Sequence, residues 1–406
     1  MSVDVRTRVD GPAEPIDAAR FFSETLPDAL AKQRDAIAPG AARLRLRPLA
    51  VETAGGSATV FWRGDRAEVA PGASADGAVV WRLSAEAFAD FVSDQSTPMA
   101  LFSSGRLDVS AGGLGDLLDW WLVLRAALDG RAIHTPGGVT FLARDGSPLD
   151  LGRAFGPEGD PAEMSHFLHE AGFLHLRGWL DPARMDRISA DMEVAARDYR
   201  DGDGNSWWVT LRDGTRRLVR MQSFDAKSTA AAELLGDPDF LRIGELTGDG
   251  HRHQVLSGNR VEALFKPIGV AQGISDVPWH KDCSLGRHSY DCSNLTTGIS
   301  VTGAAEDSGQ LRVRPGSHRA LCWPALAQPG LDLPDFALPT EKGDITVHLS
   351  CTLHMAQPPA ARERRVLYTG FRLPDRSAAA AFARQKIREV REKSPVTVSQ
   401  AASRVG

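Results

Sequence analysis

Pro278-Trp279-His280-Lys281-Asp282 and the distal run Leu353-His354-Met355 together carry two imidazoles and one carboxylate. That donor set suits non-haem Fe(II): it grips one face of the ion and leaves positions open for a chelating cosubstrate and dioxygen. Side chains in a strand repeat with period two, so His280 and Asp282 are expected on one side. Arg365 follows His354 by eleven residues, and its planar fork of donors suits a carboxylate at the far end of that cosubstrate. His348 competes with His354, because the two share a face if residues 345–353 form one unbroken strand. Counting eleven from His348 reaches Pro359, which binds no carboxylate. His354 is therefore read as the ligand and His348 as a packed or neighbouring histidine. A hairpin through Gln357-Pro358-Pro359 is expected to return Arg365 on the adjacent strand, into the same cavity.

Outward from this pair of motifs, the chain of 406 residues is long enough for two or three domains. Its apolar fraction of 42% and charged fraction of 24% are those of a globular protein. A net charge of −5 gives no general attraction to nucleic acid or to anionic membranes. No apolar run reaches the roughly 18 residues of a membrane span, and the polar N-terminus lacks the apolar core of a signal peptide. A cytoplasmic protein with a small-molecule substrate is expected. Cys283, Cys292, Cys322 and Cys351 form no CxxC pair; free thiols are the simpler reading, a Cys283–Cys292 disulfide the other.

Composition and periodicity divide the chain. Residues 1–16 read as a disordered or extended arm. Residues 17–135 read as a small α+β unit: a helix over 18–36, strand-like runs at 43–51, 58–62, 66–69 and 77–83, then a short helix over 85–92 capped by Ser84. A strand at 106–109 and a helix over 114–128 complete it. The Gly-, Pro- and Asp-rich stretch 136–160 reads as a linker or an extended arm. A second unit spans 161–376, with Ser165 as a helix cap and a helix after Asp181-Pro182. Short β-like runs dominate 261–371 at sandwich or barrel spacing. Residues 377–406 read as a C-terminal helix and tail. Asp201-Gly202-Asp203-Gly204-Asn205 resembles a calcium loop, but its twelfth position is Arg212, and it reads as a turn.

From about Ser165 to Arg372 the chain resembles the phytanoyl-CoA dioxygenase family of Fe(II)/2-oxoglutarate oxygenases. Five ordered blocks carry the likeness: Phe167-Leu-His-Glu-Ala-Gly-Phe-Leu-His-Leu-Arg-Gly-Trp-Leu; Pro278 to Asp282; Ser308-Gly-Gln-Leu-Arg-Val-Arg-Pro-Gly-Ser-His318; Gly343-Asp344; and His354 to Arg365. The resemblance implies a double-stranded β-helix, a cupin-like jelly roll with flanking helices. It further implies Fe(II) held by His280, Asp282 and His354, with 2-oxoglutarate and O2 as cosubstrates. Lys266 resembles a lysine that reaches the cosubstrate in some members; a strand-edge surface lysine is the other reading. His318 is expected to be structural. Met355-Ala356-Gln357 departs from the family's pattern after the distal histidine, where a hydroxyl is usual. More loosely, 17–135 resembles a sterol carrier protein type 2 domain in its order of elements, including Ala75-Asp76 to Ser84 and Gly105 to Val109. That likeness implies an apolar tunnel for a lipid tail.

The expected function is oxidation of an unactivated C–H of a small-molecule, hydrophobic or carrier-linked substrate. Asp282 argues for hydroxylation over halogenation, because halogenating relatives carry a small residue there. The competing readings are a lipid-binding scaffold with an inactive oxygenase half, or a metal-dependent cupin enzyme that does not use 2-oxoglutarate. The intact donor set argues against the first and Arg365 against the second.

Overall fold

The computed structural model describes residues 13–73, 77–253, 260–272, 277–285 and 294–373. Most of the N-terminal arm, Ala75-Asp76, Cys292 with its disulfide option, and the C-terminal helix lie outside the described residues.

The N-terminal unit opens with α1 (Ala18–Arg20), where Asp17 accepts from the Arg20 amide. A π turn, Phe21–Thr25, leads into α2 (Leu26–Lys32) and α3 (Arg34–Ala41). Five strands follow: β1 (Leu49–Thr53), β2 (Gly56–Arg63), β3 (Arg66–Pro71), β4 (Val79–Leu83) and β5 (Leu107–Ala111). They form one sheet in the order β3-β2-β1-β4-β5, with β1 and β4 parallel. Ser84 caps α4 (Ala85–Val92) through the Ala87 amide. The sequence reading missed α5 (Pro98–Ser103), which Thr97 caps; six residues are too few to show helical periodicity. Helix α6 (Leu114–Asp129) is buried on every side, with Trp120 and Trp121 at 0% and 1% exposure. A small void in this core, about 20 Å³, is walled only by apolar side chains such as Phe21, Phe22, Trp81 and Leu124. It has room for one water-sized sphere and not for a lipid tail.

Residues 136–160, expected as a linker or an extended arm, form an arm laid along the second unit. The His134 amide, just before the arm, bonds the Leu321 carbonyl at 3.0 Å. Phe155 meets Phe167 edge-on at 5.5 Å. Helix α7 (Pro161–Ala171) is capped by Asp160 with Pro161 at its first position, not by Ser165: the Asp-Pro pair stands a turn earlier and is the stronger start signal. Gly172 ends it at φ 83, and a Cβ there would lie 2.4 Å from His318 Nδ1. Strand β6 (Phe173–Leu176) follows, then α8 (Pro182–Ala195), capped by Asp181 as expected.

The second unit's core is built from β7 (Ser206–Leu211), β8 (Arg216–Met221), β9 (Arg252–His253), β10 (Glu262–Lys266), β11 (Val270–Gln272) and β12 (Val277–His280). It continues with β13 (Leu295–Ser300), β14 (Leu311–Val313), β15 (Phe336–Leu338), β16 (Ile345–Leu349), β17 (His354–Ala356) and β18 (Arg364–Arg372). The larger sheet runs β11-β7-β8-β10-β18-β13-β16-β6, with β9 on β18; the smaller runs β12-β17-β14-β15. Together they make the double-stranded β-helix, and the whole chain is α+β. Two local expectations change. The run 345–353 breaks after Leu349 and resumes as β17 in the other sheet. The chain after His354 therefore crosses between sheets through Gln357-Pro358-Pro359 and makes no hairpin with β18.

Candidate active site

The end of β12 and the start of β17 pair antiparallel, which sets His280 opposite His354. The 3₁₀ turn Asp282–Leu285 follows β12 at once, so Asp282 returns to the same side. The three ligand atoms lie within 4.8 Å of one another. His280 Nε2 and His354 Nε2 each stand 3.5 Å from Asp282 Oδ1. The outer nitrogens are held by backbone: His280 Nδ1 donates to the Pro278 carbonyl at 2.8 Å, His354 Nδ1 to the Thr352 carbonyl at 2.9 Å. Those bonds fix the tautomers and leave both Nε2 lone pairs aimed inward, as a metal requires. Burial alone would raise the Asp282 carboxyl, but the surrounding imidazoles of His354, His280 and His348 hold it well below the usual carboxylate range. Burial, then His354, keeps His280 neutral by lowering its pKa. Two imidazoles around an ionised carboxylate are a set of donors suited to a divalent ion.

Several supports were not legible in the sequence. Thr296 Oγ1 donates to Asp282 Oδ2 at 2.7 Å, which orients Oδ1 toward the histidines. His348, 1% exposed, places Nε2 3.4 Å from the same Oδ2, and its ring centroid lies 4.0 Å from that of His354. Lys281 points away from the site and donates to the Ser317 carbonyl at 2.9 Å. Ser317 Oγ accepts from the Leu353 amide at 2.7 Å. The Pro-Gly-Ser-His turn thus braces both ligand-bearing segments. His318 within it bonds the His169 carbonyl at 2.8 Å and is a structural histidine. Asp344 likewise serves the fold, receiving His175 Nε2 at 2.9 Å and the Gly178 amide at 2.7 Å.

Arg365 does not join this site. Alternation along β18 turns it outward, where it donates to Ser189 Oγ at 2.9 Å, contacts Glu193 of α8 and lies over the Phe265 ring. The interior position belongs to Arg364, 4% exposed, whose Nε and one terminal nitrogen have no hydrogen-bond partner. Gly298, Ser300, Thr340, Thr346, Arg364 and Tyr368 line the same interior space between the sheets. Thr296, which holds Asp282, shares a face of β13 with Gly298 and Ser300. Lys266, also 4% exposed, lies directly opposite Arg364 in the β10–β18 pairing. Opposite residues share a face, so the two side chains are on the same side of the sheet. Trp207, 40% exposed at the sheet edge, carries Arg220 over its ring at 5.0 Å.

Comparison with known proteins agrees with this geometry. The family model described as phytanoyl-CoA dioxygenase (PhyH) matches residues 168–366. No curated protein matches the chain. Among solved structures, EvdMO1 is 19% identical with a TM-score of 0.43, over 53% of this chain and 51% of its own. This chain thus spans about half the length of EvdMO1. EctD from S. alaskensis, solved with 2-oxoglutarate and 5-hydroxyectoine, is 15% identical with a TM-score of 0.43, over 55% of this chain and 78% of its own. The epimerase SnoN, solved with Fe3+, alpha ketoglutarate and nogalamycin RO, is 18% identical with a TM-score of 0.42, over 52% and 84%. The matched region carries the β-helix, the two histidines and the aspartate: residues 168–366 match the phytanoyl-CoA dioxygenase family and form a domain of the Fe(II)- and 2-oxoglutarate-dependent oxygenase type.

Proposed function

We propose that this enzyme oxidises an unactivated C–H of a small molecule, with His280, Asp282 and His354 as the iron ligands and Arg364 as the anchor of 2-oxoglutarate. When bound, Fe(II) and 2-oxoglutarate reduce dioxygen, releasing succinate and CO2 and delivering one oxygen atom to the substrate. The chain's own residues hold and orient. Thr296 donates to Asp282 Oδ2 and His348 Nε2 stands 3.4 Å from the same oxygen, an arrangement that would leave Oδ1 to hold the ion. An aspartate in that position leaves no ligand site for a halide, which favours hydroxylation, desaturation or ring formation.

The observation that carries the reading is the buried guanidinium of Arg364, two of whose nitrogens have no hydrogen-bond partner. A buried cation with free donors calls for an anion such as a carboxylate, and Ser300 and Thr340 hydroxyls, 2.9 Å apart, stand in the same lining. The space is about 10 Å³, so the lining side chains shift to admit a five-carbon diacid. The one-residue slip from Arg365 to Arg364 keeps a donor fork in the same role on the interior face.

Anaerobic loading with Fe(II), then oxygen and 2-oxoglutarate, tests the class: succinate and CO2 should form in equal amounts, slowly without substrate. Absence of both, with iron bound at one equivalent, would favour a cupin enzyme that does not use 2-oxoglutarate. The N-terminal void, at about 20 Å³, gives a lipid tail no room in this packing, so support for a hydrophobic or carrier-linked substrate must come from the oxygenase half.

A further inference from the structure

Residues 320–326 form an extended segment buried on both faces. Leu321, Trp323, Ala325 and Leu326 belong to the apolar core of the N-terminal unit, at 2%, 3%, 0% and 5% exposure. Ala320 and Cys322 point the other way, into a cluster with Trp279 and Leu353, which adjoin the iron ligands. The period-two alternation of a strand thus sets one segment between two units.

Its backbone holds the ligand strand. The Lys281 amide donates to the Pro324 carbonyl at 2.9 Å, the Leu326 amide donates to the Trp279 carbonyl at 2.7 Å, and Ala325 forms a bridge with His280. Its side chains are held in turn by the N-terminal unit. Trp323 Nε1 donates to Asp119 Oδ1 of α6 at 2.9 Å, and Asp119 Oδ2 accepts from the Arg45 amide at 3.0 Å. Gly115 gives the indole room, since a Cβ there would already touch it at 3.4 Å. Leu326 sits at φ 67, an uncommon conformation for a branched side chain, which persists where surroundings over-determine it. Helix α5 also packs on the turn Asp282–Leu285.

We infer that the N-terminal unit is part of the iron site's scaffold, with Trp323 as the positioning residue that fixes segment 324–326, and through it His280. This rests on the iron reading given above. The unit's role for the reaction is then geometric: it sets the separation of His280 from His354.

Titration of the metal-free full-length protein with Co(II), followed by its d–d absorption with and without 2-oxoglutarate, tests this apart from turnover. Trp323→Ala should weaken Co(II) binding roughly ten-fold, the scale of losses from outer supports of metal ligands, and alter the absorption envelope. Trp323→Phe keeps the packing and removes only the N–H; it should weaken binding roughly two- to five-fold and decides the matter if the alanine variant does not fold. Val60→Ala, in the same apolar cluster but in the wall of the void, should lose stability and leave Co(II) affinity unchanged. Wild-type affinity and spectrum in a folded Trp323 variant overturn the inference, as does an equal loss in Val60→Ala. A wild-type protein that binds no Co(II) overturns the iron reading and this inference with it.

Discussion

At the scale of single residues, two neighbouring arginines divide the work. Arg364→Met removes the interior fork, and charge-assisted bonds of that kind contribute about 1.5–3 kcal/mol. The apparent KM for 2-oxoglutarate should rise roughly ten-fold or more, each 1.4 kcal/mol being about a factor of ten. Arg365→Ala should leave that KM unchanged and lower the melting temperature, because Arg365 ties β18 to α8 through Ser189. The reverse pattern would return the cosubstrate to Arg365. For the metal, His280→Ala and His354→Ala should each abolish Fe(II) retention on a desalting column, while His348→Ala keeps the ion with weaker affinity. If His348→Ala alone loses iron, the distal assignment fails. The sequence displayed the three residues that the structure brings together, though Asp282 reaches its place from the 3₁₀ turn after β12 and not from the strand alternation expected of it. It could not display which of two adjacent arginines faces inward. That depends on where a proline-rich crossing ends, and a slip of one residue exchanges the faces of a strand.

At the scale of elements, the Pro-Gly-Ser-His turn is a buried brace with a pH signature. Burial pushes His318 down to about 3, from an ordinary value of 6.5. Between those values the unfolded chain binds a proton that the native state does not, so stability falls as pH falls. Urea midpoints measured from pH 7.5 to 4 should decline. His318→Gln should flatten the decline by up to ~1.4 kcal/mol per pH unit, while lowering stability at pH 7.5 through loss of the bond to the His169 carbonyl. An unchanged slope would mean that His318 is protonated in the native state. Elements with strong local signals were legible: the Ser84 and Asp181 caps and the long α6. The short α5 was not, because its Thr97 cap is followed by only six helical residues, and neither was the break between β16 and β17. That break lets His354 enter the opposite sheet.

At the scale of the whole molecule, the first unit is a packed body rather than a vessel. The intact protein should show no saturable binding of a fluorescent fatty acid or sterol at micromolar concentration; such binding would mean that the Phe21, Phe22 and Trp81 rings part to enlarge the void. Deleting residues 1–135 should cause aggregation or loss of both coupled and uncoupled turnover, since it strips the cover from Leu321, Trp323 and Leu326. Survival of uncoupled 2-oxoglutarate decarboxylation would instead support delivery of substrate by the first unit. The shared segment also sets a timetable for synthesis. The core that begins at Ala18 is completed only by Leu326, so the ribosome has made most of the chain before the first domain can close. At about 5–20 residues per second, the roughly 200 residues after α6 take on the order of 10–40 s. Through that interval the first unit's core lacks Leu321, Trp323, Ala325 and Leu326. Nascent chains arrested before residue 320 should be cut by protease in the first unit, and chains extended past 326 and clear of the exit tunnel should resist.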